Sequence, residues 1–284
     1  MLDIAIIGNG PAGLSAGINA KIRNKNVEVF GNNISTSYLY KAERVDNYLG
    51  FNKITGEKLL DKFIKHAKKM KLKIHEGKVI EIYNMGEYFT INFNNKFVDT
   101  KAIIIATGLT KSKLYNGEET YLGKGVSYCA TCDGNLYKGK KILVVGESTD
   151  SDEEVHFLSE LAKKVYYLTN KEQNIESDNV EYIKARVEEI CGNDIVKSVI
   201  LSTGEIEVDG IFILRESTPV SKLIAGLEIE NNMIKVTRQM EANIPGVFAA
   251  GDCTGKPFQI SKAVGEGLVA ALSAASYLDK VDEG

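Results

Sequence analysis

Two cysteines spaced C-x-x-C stand in Tyr128-Cys129-Ala130-Thr131-Cys132-Asp133-Gly134. Sulfurs at that spacing can close a disulfide that accepts and releases two electrons, which points first to redox chemistry. The same spacing supplies half of a four-ligand zinc site or part of an iron–sulfur site. The other cysteines, Cys191 and Cys253, have no cysteine or histidine at ligand spacing, and His66, His75 and His156 form no paired-ligand motif. Metal ligation therefore stands behind a redox-active pair, as does a structural disulfide or buried thiol pair, and no metal is expected.

A second chemistry-bearing pattern lies at the N-terminus, where Asp3-Ile4-Ala5-Ile6-Ile7 runs into Gly8-Asn9-Gly10-Pro11-Ala12-Gly13. The apolar run reads as a buried parallel strand feeding a helix that starts at Pro11, the context that gives G-x-G-x-x-G its meaning. Gly8 permits the tight turn, Gly10 lets backbone approach a pyrophosphate, and Gly13 lets helix pack on strand. The helix N-terminus offers unpaired N–H groups to the anion, so a dinucleotide is expected here.

These residues need a scaffold, and the 284-residue chain is long enough for one large domain or two of ordinary size. A formal net charge of −3 lacks the basic footprint of a nucleic-acid binder. No apolar run reaches a membrane span and no signal core is seen, so a cytoplasmic protein is expected, in keeping with thiols in a reducing compartment. After a helix over about 11–23, Val27 to Phe30 forms a second strand that ends at Gly31 without the carboxylate many dinucleotide folds place there. Helical spacing of Leu59, Leu60, Phe63, Ile64 and Ala67 predicts a helix over 57–70. Its Lys58, Lys62, Lys65, Lys68 and Lys69 make a solvated face, with docking of an acidic partner as the sharper reading. Alternation over 73–99 predicts an antiparallel meander, followed by a separate buried strand from Ala102 to a turn at Gly108.

The strand-and-glycine pattern returns at Lys141-Ile142-Leu143-Val144-Val145-Gly146, and Gly246 to Asp252 reads again as strand plus glycine–carboxylate turn. The expected fold is α/β: two Rossmann-like, three-layer nucleotide-binding domains, the second inserted into the first. Residues 1–110 and 218–284 make the first domain and 111–217 the insert. An Ala- and Gly-rich helix spans Phe258 to Leu278.

The order of motifs resembles the low-molecular-weight thioredoxin reductases, in the pyridine-nucleotide-disulfide oxidoreductase superfamily, over essentially the whole chain. Gly8 through Ala16, Asp46-Asn47-Tyr48-Leu49-Gly50, Ala106-Thr107-Gly108, Cys129 through Gly134 and Gly246 through Asp252 carry the match. The resemblance implies a homodimer whose first domain binds FAD through Gly8, Gly10, Pro11, Ala12, Gly13, Asn47, Thr107, Gly108, Gly251, Asp252 and Gln259. Phe258 departs from the arginine that many members carry there. It also implies roles for the pair: Cys132 takes electrons from the flavin, Cys129 attacks thioredoxin, and Asp133 moves protons. Asp133 before Gly134 is also an ordinary turn residue. Cys253 reads as a small buried residue, and Cys191 has no assigned role.

The second nucleotide motif departs from NADPH-dependent members. Gly146 is followed by Glu147-Ser148-Thr149-Asp150-Ser151-Asp152, with no Lys or Arg between Lys141 and Lys163. A unit charge about 8 Å from a phosphate costs roughly 1–2 kcal/mol at an effective dielectric of about 20 to 40. Glu147, Asp150 and Asp152 are thus expected to repel pyrophosphate and to satisfy the helix N-terminus internally. The family's arginine cluster is replaced by Thr169-Asn170-Lys171, and Arg215 stands where a glycine is usual, placed to crowd or contact the flavin region. The expectation is a flavin-type enzyme that takes electrons from ferredoxin and passes them through FAD and the Cys129–Cys132 disulfide to thioredoxin. Lys111, Lys113, Lys138, Lys140 and Lys141 are candidates for steering an acidic ferredoxin. Alternatives are an NADPH-dependent reductase with an altered pocket, a diflavin reductase with its second flavin near Arg215, and a non-enzymatic redox sensor.

Overall fold

The computed structural model describes residues 1–109, 114–148, 151–170, 172, 174–215 and 219–283. Two compact units emerge, Met1–Thr110 with Ser217–Gly284, and Lys111–Glu216. The first begins as strand–helix–strand: β1 (Leu2–Ile7), α1 (Pro11–Ile22) and β2 (Val27–Gly31). Helix α2 (Gly56–Lys69) is capped by Thr55, whose hydroxyl accepts the Lys58 N–H at 3.3 Å. It buries Leu59, Leu60 and Ala67 and leaves all five lysines exposed, as its periodicity requires.

Four strands follow, β3 (Lys73–Glu76), β4 (Val79–Asn84), β5 (Phe89–Phe93) and β6 (Lys96–Ile105). The meander expected over 73–99 holds only from β4 onward, because β3 pairs parallel with β2 and extends the nucleotide-type sheet. Four residues carry too little alternation to reveal strand direction. The two strands expected at 96–108 are one: Lys96–Thr100 pair antiparallel with β5, and the buried stretch to Ile105 runs parallel to β1.

The second unit contains α3 (Glu118–Tyr121), β7 (Val126–Ser127), α4 (Ala130–Asp133), β8 (Lys141–Gly146), α5 (Ser151–Leu161), β9 (Lys164–Leu168) and β10 (Val180–Ile183). An antiparallel layer of β11 (Val187–Gly192), β12 (Val196–Leu201) and β13 (Gly204–Glu207) precedes β14 (Gly210–Leu214). The parallel sheet has the order β10-β9-β8-β14-β7. Ile142, Val144, Phe212 and Leu214 pack with Val155 and Leu158 of α5, while Leu143, Val145, Ile211 and Ile213 face Val199 and Leu201. Both faces are covered, which is why its strands are continuous apolar runs.

The chain then returns to the first unit through α6 (Val220–Leu223), β15 (Ile229–Glu230), β16 (Met233–Ile234), β17 (Val247–Ala249) and α7 (Ile260–Glu283). β17 lies parallel to β6 and completes a seven-stranded sheet. Helices α1 and α7 approach so closely that a Cβ on Gly267 would stand 2.2 Å from the Ala12 carbonyl oxygen, so the small residues of α7 serve contact. Among the described residues, no helix is long and apolar enough to cross a membrane.

Candidate active site

Strand β7 delivers the chain to Cys129, which opens the short helix α4. Cys129 and Cys132 form a disulfide with Cα atoms 5.3 Å apart. The Ser127 hydroxyl accepts the Cys129 N–H at 3.1 Å, and Cys129 Sγ accepts the Cys132 N–H at 3.1 Å with Thr131 Oγ1 at 3.6 Å. Hydrogen bonds to a charged form favour it, so after cleavage of the S–S bond these donors suit a thiolate at Cys129. Cys132 is exposed, whereas Cys129 is only 7% exposed and must be uncovered before it can meet a protein disulfide. Asp133 closes α4 half-buried, and its charge adds to burial in holding the Tyr137 phenol above its ordinary pKa.

In the first unit, the turn between β1 and α1 is built around bare backbone. Gly8 has φ +120°, and a Cβ there would meet the Ala106 carbonyl oxygen at 2.1 Å; one on Gly13 would meet the Gly8 carbonyl oxygen at 1.8 Å. Gly10 differs, since a Cβ on it meets nothing within 4 Å, leaving open space at the start of the helix. The first intrahelical bond there is Leu14 N–H to Gly10 O at 2.9 Å, so Pro11, Ala12 and Gly13 precede the bonded ladder. Beside β6, the Thr107 hydroxyl is buried without a hydrogen-bond partner. A clear backbone cradle at a helix N-terminus and an orphaned buried hydroxyl fit a bound dinucleotide.

Asn47 and Gln259, far apart in sequence, meet through Asn47 Nδ2 donating to Gln259 Oε1 at 2.8 Å. Asp252 follows β17 on a turn held from α7: Lys262 Nζ donates to the carbonyls of Gly251 at 2.9 Å and Gly255 at 2.8 Å, and Glu266 accepts the Gly251 N–H at 2.9 Å. Burial raises the Asp252 carboxyl above its ordinary range, with Lys262 pulling the other way. Cys253 is buried behind this turn. Lys262 and Glu266 were not legible as site residues, because no motif spacing marks them.

The described part of the second glycine turn has its donors in use. The N–H groups of Glu147 and Ser148 both donate to the Leu214 carbonyl, at 2.9 and 2.8 Å, so neither faces outward for an anion. Tyr167, fully buried, donates its hydroxyl to Asp152 Oδ1 at 2.6 Å and lies 2.8 Å from the Ser151 hydroxyl. Burial, reinforced by Asp152, pushes that phenol up to about 12.

The expectation of unneutralised repulsion at Glu147 is corrected. Although no cation is near in sequence, Arg215 Nε donates to Glu147 Oε2 at 3.2 Å, and Tyr115 donates to Glu147 Oε1 at 2.7 Å. Arg215 is 5% exposed and holds Glu118 with both terminal nitrogens, at 2.5 and 3.0 Å. Its guanidinium is thus bonded to Glu118 and Glu147 within the second unit. Asp150, Lys171, Lys111 and Lys113 lie outside the described residues.

Comparison with known proteins places this geometry. The family model for pyridine nucleotide-disulphide oxidoreductases matches residues 2–267. The thioredoxin reductase of Bacillus subtilis (strain 168) is 33% identical over 303 residues, covering 99% of this chain and 96% of that protein. The chain belongs to the thioredoxin reductase branch of this family. A ferredoxin-flavin thioredoxin reductase from Clostridium acetobutylicum is 45% identical, with a TM-score of 0.90 over 100% of this chain and 99% of the other. A thioredoxin reductase from Gloeobacter violaceus is 26% identical with a TM-score of 0.81, covering 98% and 95%. The reductase uses FAD and moves electrons through a redox-active disulfide.

Proposed function

We propose that this reductase takes electrons from reduced ferredoxin and delivers them to thioredoxin. The observation that carries the reading is at the second glycine turn: the Glu147 and Ser148 N–H groups are bonded to Leu214 and Tyr167 stands behind Gly146, while Cys129 and Cys132 are joined in a disulfide. The likeness to the Clostridium ferredoxin-flavin enzyme supports the same donor. With ferredoxin near about −400 mV and thioredoxin near about −270 mV, two electrons release on the order of 6 kcal/mol.

The first unit is assigned as the FAD domain and the second as an inserted, degenerate nucleotide domain carrying the disulfide. Gly8, Gly10, Pro11, Ala12 and Gly13 would hold the pyrophosphate, with Asn47, Thr107, Gly108, Gly251, Asp252 and Gln259 along the rest of the cofactor. When bound, FAD supplies the chemistry that collects single electrons and releases them as a pair. Cys132, the exposed sulfur, would take up the electron pair that FAD supplies, and on cleavage of the S–S bond Cys129 would leave as a thiolate held by the Cys132 N–H. Asp133 transfers protons so that two electrons and two protons convert the disulfide to a dithiol. Cys129 then attacks one sulfur of thioredoxin's disulfide, expelling the other as a thiolate. Cys132 attacks the mixed disulfide, re-forming Cys129–Cys132 and releasing thioredoxin as a dithiol. The resemblance and the redox chemistry further support a homodimer in the cytoplasm.

The deciding experiment is an anaerobic flavin spectrum after separate additions of NADPH, NADH and reduced ferredoxin. Bleaching by ferredoxin alone, followed by reduction of thioredoxin, is the expected result. Rapid bleaching by NADPH would remove the reading in favour of an altered NADPH pocket.

A further inference from the structure

The charges bonded around the buried Arg215 gather at the carboxyl ends of three adjacent strands. Glu147 follows β8, Arg215 follows the central β14, and Tyr128-Cys129 follow β7, with β14 paired to both β8 and β7. Open parallel sheets ordinarily bind ligands at such ends. Here side chains are bonded to one another across that edge.

Glu118, on α3, has no solvent exposure and is the hub. Its Oε1 accepts from Arg215 Nη1 at 2.5 Å and from the Tyr128 hydroxyl at 2.7 Å, and its Oε2 accepts from Arg215 Nη2 at 3.0 Å and from the Tyr115 N–H at 2.8 Å. Arg215 continues to Glu147, which accepts the Tyr115 hydroxyl. The guanidinium carbon also lies 5.4 Å from the Tyr115 ring centre and 5.8 Å from that of Tyr128. Burial, then the Glu118 contact, holds the Tyr128 phenol protonated far above its ordinary pKa, so it serves as a fixed donor.

A buried ion pair is a poor source of net stability, because desolvation offsets its attraction, but its geometry can fix one arrangement. What it fixes here is the residue bonded directly to Cys129. We propose that Glu118, Arg215 and Tyr128 are positioning residues for the redox couple: they tie the Tyr128–Cys129 segment to the ends of β14 and β8 and hold the two sulfurs at closing distance. This rests on reading Cys129–Cys132 as the redox couple. The closed nucleotide turn then supports the cysteine loop.

Holding two thiols together raises their effective concentration and favours the disulfide. Loosening the tie therefore shifts the couple toward the dithiol. The test equilibrates FAD-loaded protein with mixtures of oxidised and reduced dithiothreitol and counts free thiols at Cys129 and Cys132 by mass spectrometry. Tyr128→Phe, the mildest change, and Glu118→Gln should each shift the equilibrium toward dithiol by about threefold to tenfold, tenfold being about 30 mV for a two-electron couple. Arg215→Lys should recover part of the shift seen in Arg215→Met.

Variants with a lowered melting temperature and an unchanged thiol equilibrium would assign the network to stability alone and overturn the proposal. A wild-type couple that does not exchange with dithiothreitol at any ratio would instead remove the underlying reading of the redox pair, and the proposal with it. Tyr128→Phe deletes one hydroxyl and keeps the ring, so the test survives if the charge variants do not fold.

Discussion

The hydroxyl of Tyr167 lies where a side chain on Gly146 would begin: a Cβ built there meets Tyr167 Oη at 2.7 Å and Cε2 at 2.6 Å. In a dinucleotide turn this first glycine permits the tight turn, and the position two residues on, here Ser148, is where backbone approaches phosphate. Here the glycine makes room for a tyrosine. Among the described residues the second turn is filled by packing and by bonded N–H groups, with charge a smaller factor than sequence alone suggests, since Arg215 pairs with Glu147.

The closure predicts which substitutions open the site to pyridine nucleotide. Wild type should show no saturable NADPH binding up to millimolar concentration by calorimetry. Glu147→Gly with Ser148→Gly should change little, because Tyr167 still fills the turn. Adding Tyr167→Val and Asn170→Arg should bring measurable binding, at least tenfold tighter than the two-glycine variant. Equal binding by the two-glycine and four-site variants would show that Tyr167 is not the plug.

Two glycines of the first turn should separate ligand binding from folding. Nothing in the protein lies within 4 Å of a Cβ on Gly10, so Gly10→Val should leave the melting temperature of the FAD-free protein within about 2 °C of wild type. FAD content after purification should nevertheless fall at least tenfold. Gly13→Val, directed at the Gly8 carbonyl oxygen 1.8 Å away, should destabilise the FAD-free protein itself. A Gly10 variant that retains stoichiometric FAD would show that the ligand does not approach this backbone.

The cysteines should separate by role. Cys132→Ser leaves Cys129 without a resolving thiol, so thioredoxin should be trapped on Cys129 in a stable mixed disulfide visible on non-reducing gels. Cys129→Ser should trap little and should lose turnover as fully. Because Cys129 is 7% exposed, trapping should also be slow relative to a small exposed thiol and should accelerate under mild denaturant. Trapping by Cys129→Ser and none by Cys132→Ser would reverse the assignment.

The strand–glycine turn at residues 3–13 and the Cys129–Cys132 pair were legible in the sequence because each depends on local spacing. The Lys73–Glu76 strand was assigned to a meander because its parallel partner, β2, is chosen by tertiary packing that four residues do not encode. Asn47 and Gln259 were legible one at a time through their motifs, and their mutual hydrogen bond is visible only in three dimensions. The Glu118–Arg215 pair spans 97 positions and carries no motif, so no spacing rule could find it. The same limit explains the misjudged charge at Glu147: its cation comes from another strand end.

Cys253 offers a test of the first unit that is independent of electron transfer. The thiol is 1% exposed, with Sγ directed at the carbonyls of Ala250 at 3.3 Å and Ile105 at 3.5 Å. Burial pushes it up to about 11. An unfolded cysteine ionises near about pH 8.5, so below that value both states are protonated and the full stability is present. As pH rises through the window between the two values, the unfolded chain loses its proton while the folded one keeps it, and stability is lost. Two to three units correspond to about 3 kcal/mol on an order-of-magnitude scale. Urea unfolding at fixed pH steps should therefore show wild type losing, by about pH 11, on the order of 3 kcal/mol relative to Cys253→Ala, with the difference between the two constant below about pH 8. Parallel curves for the two proteins across the alkaline range would mean that the thiol is reached by solvent, and that the Gly251–Asp252 turn in front of it opens in the native state.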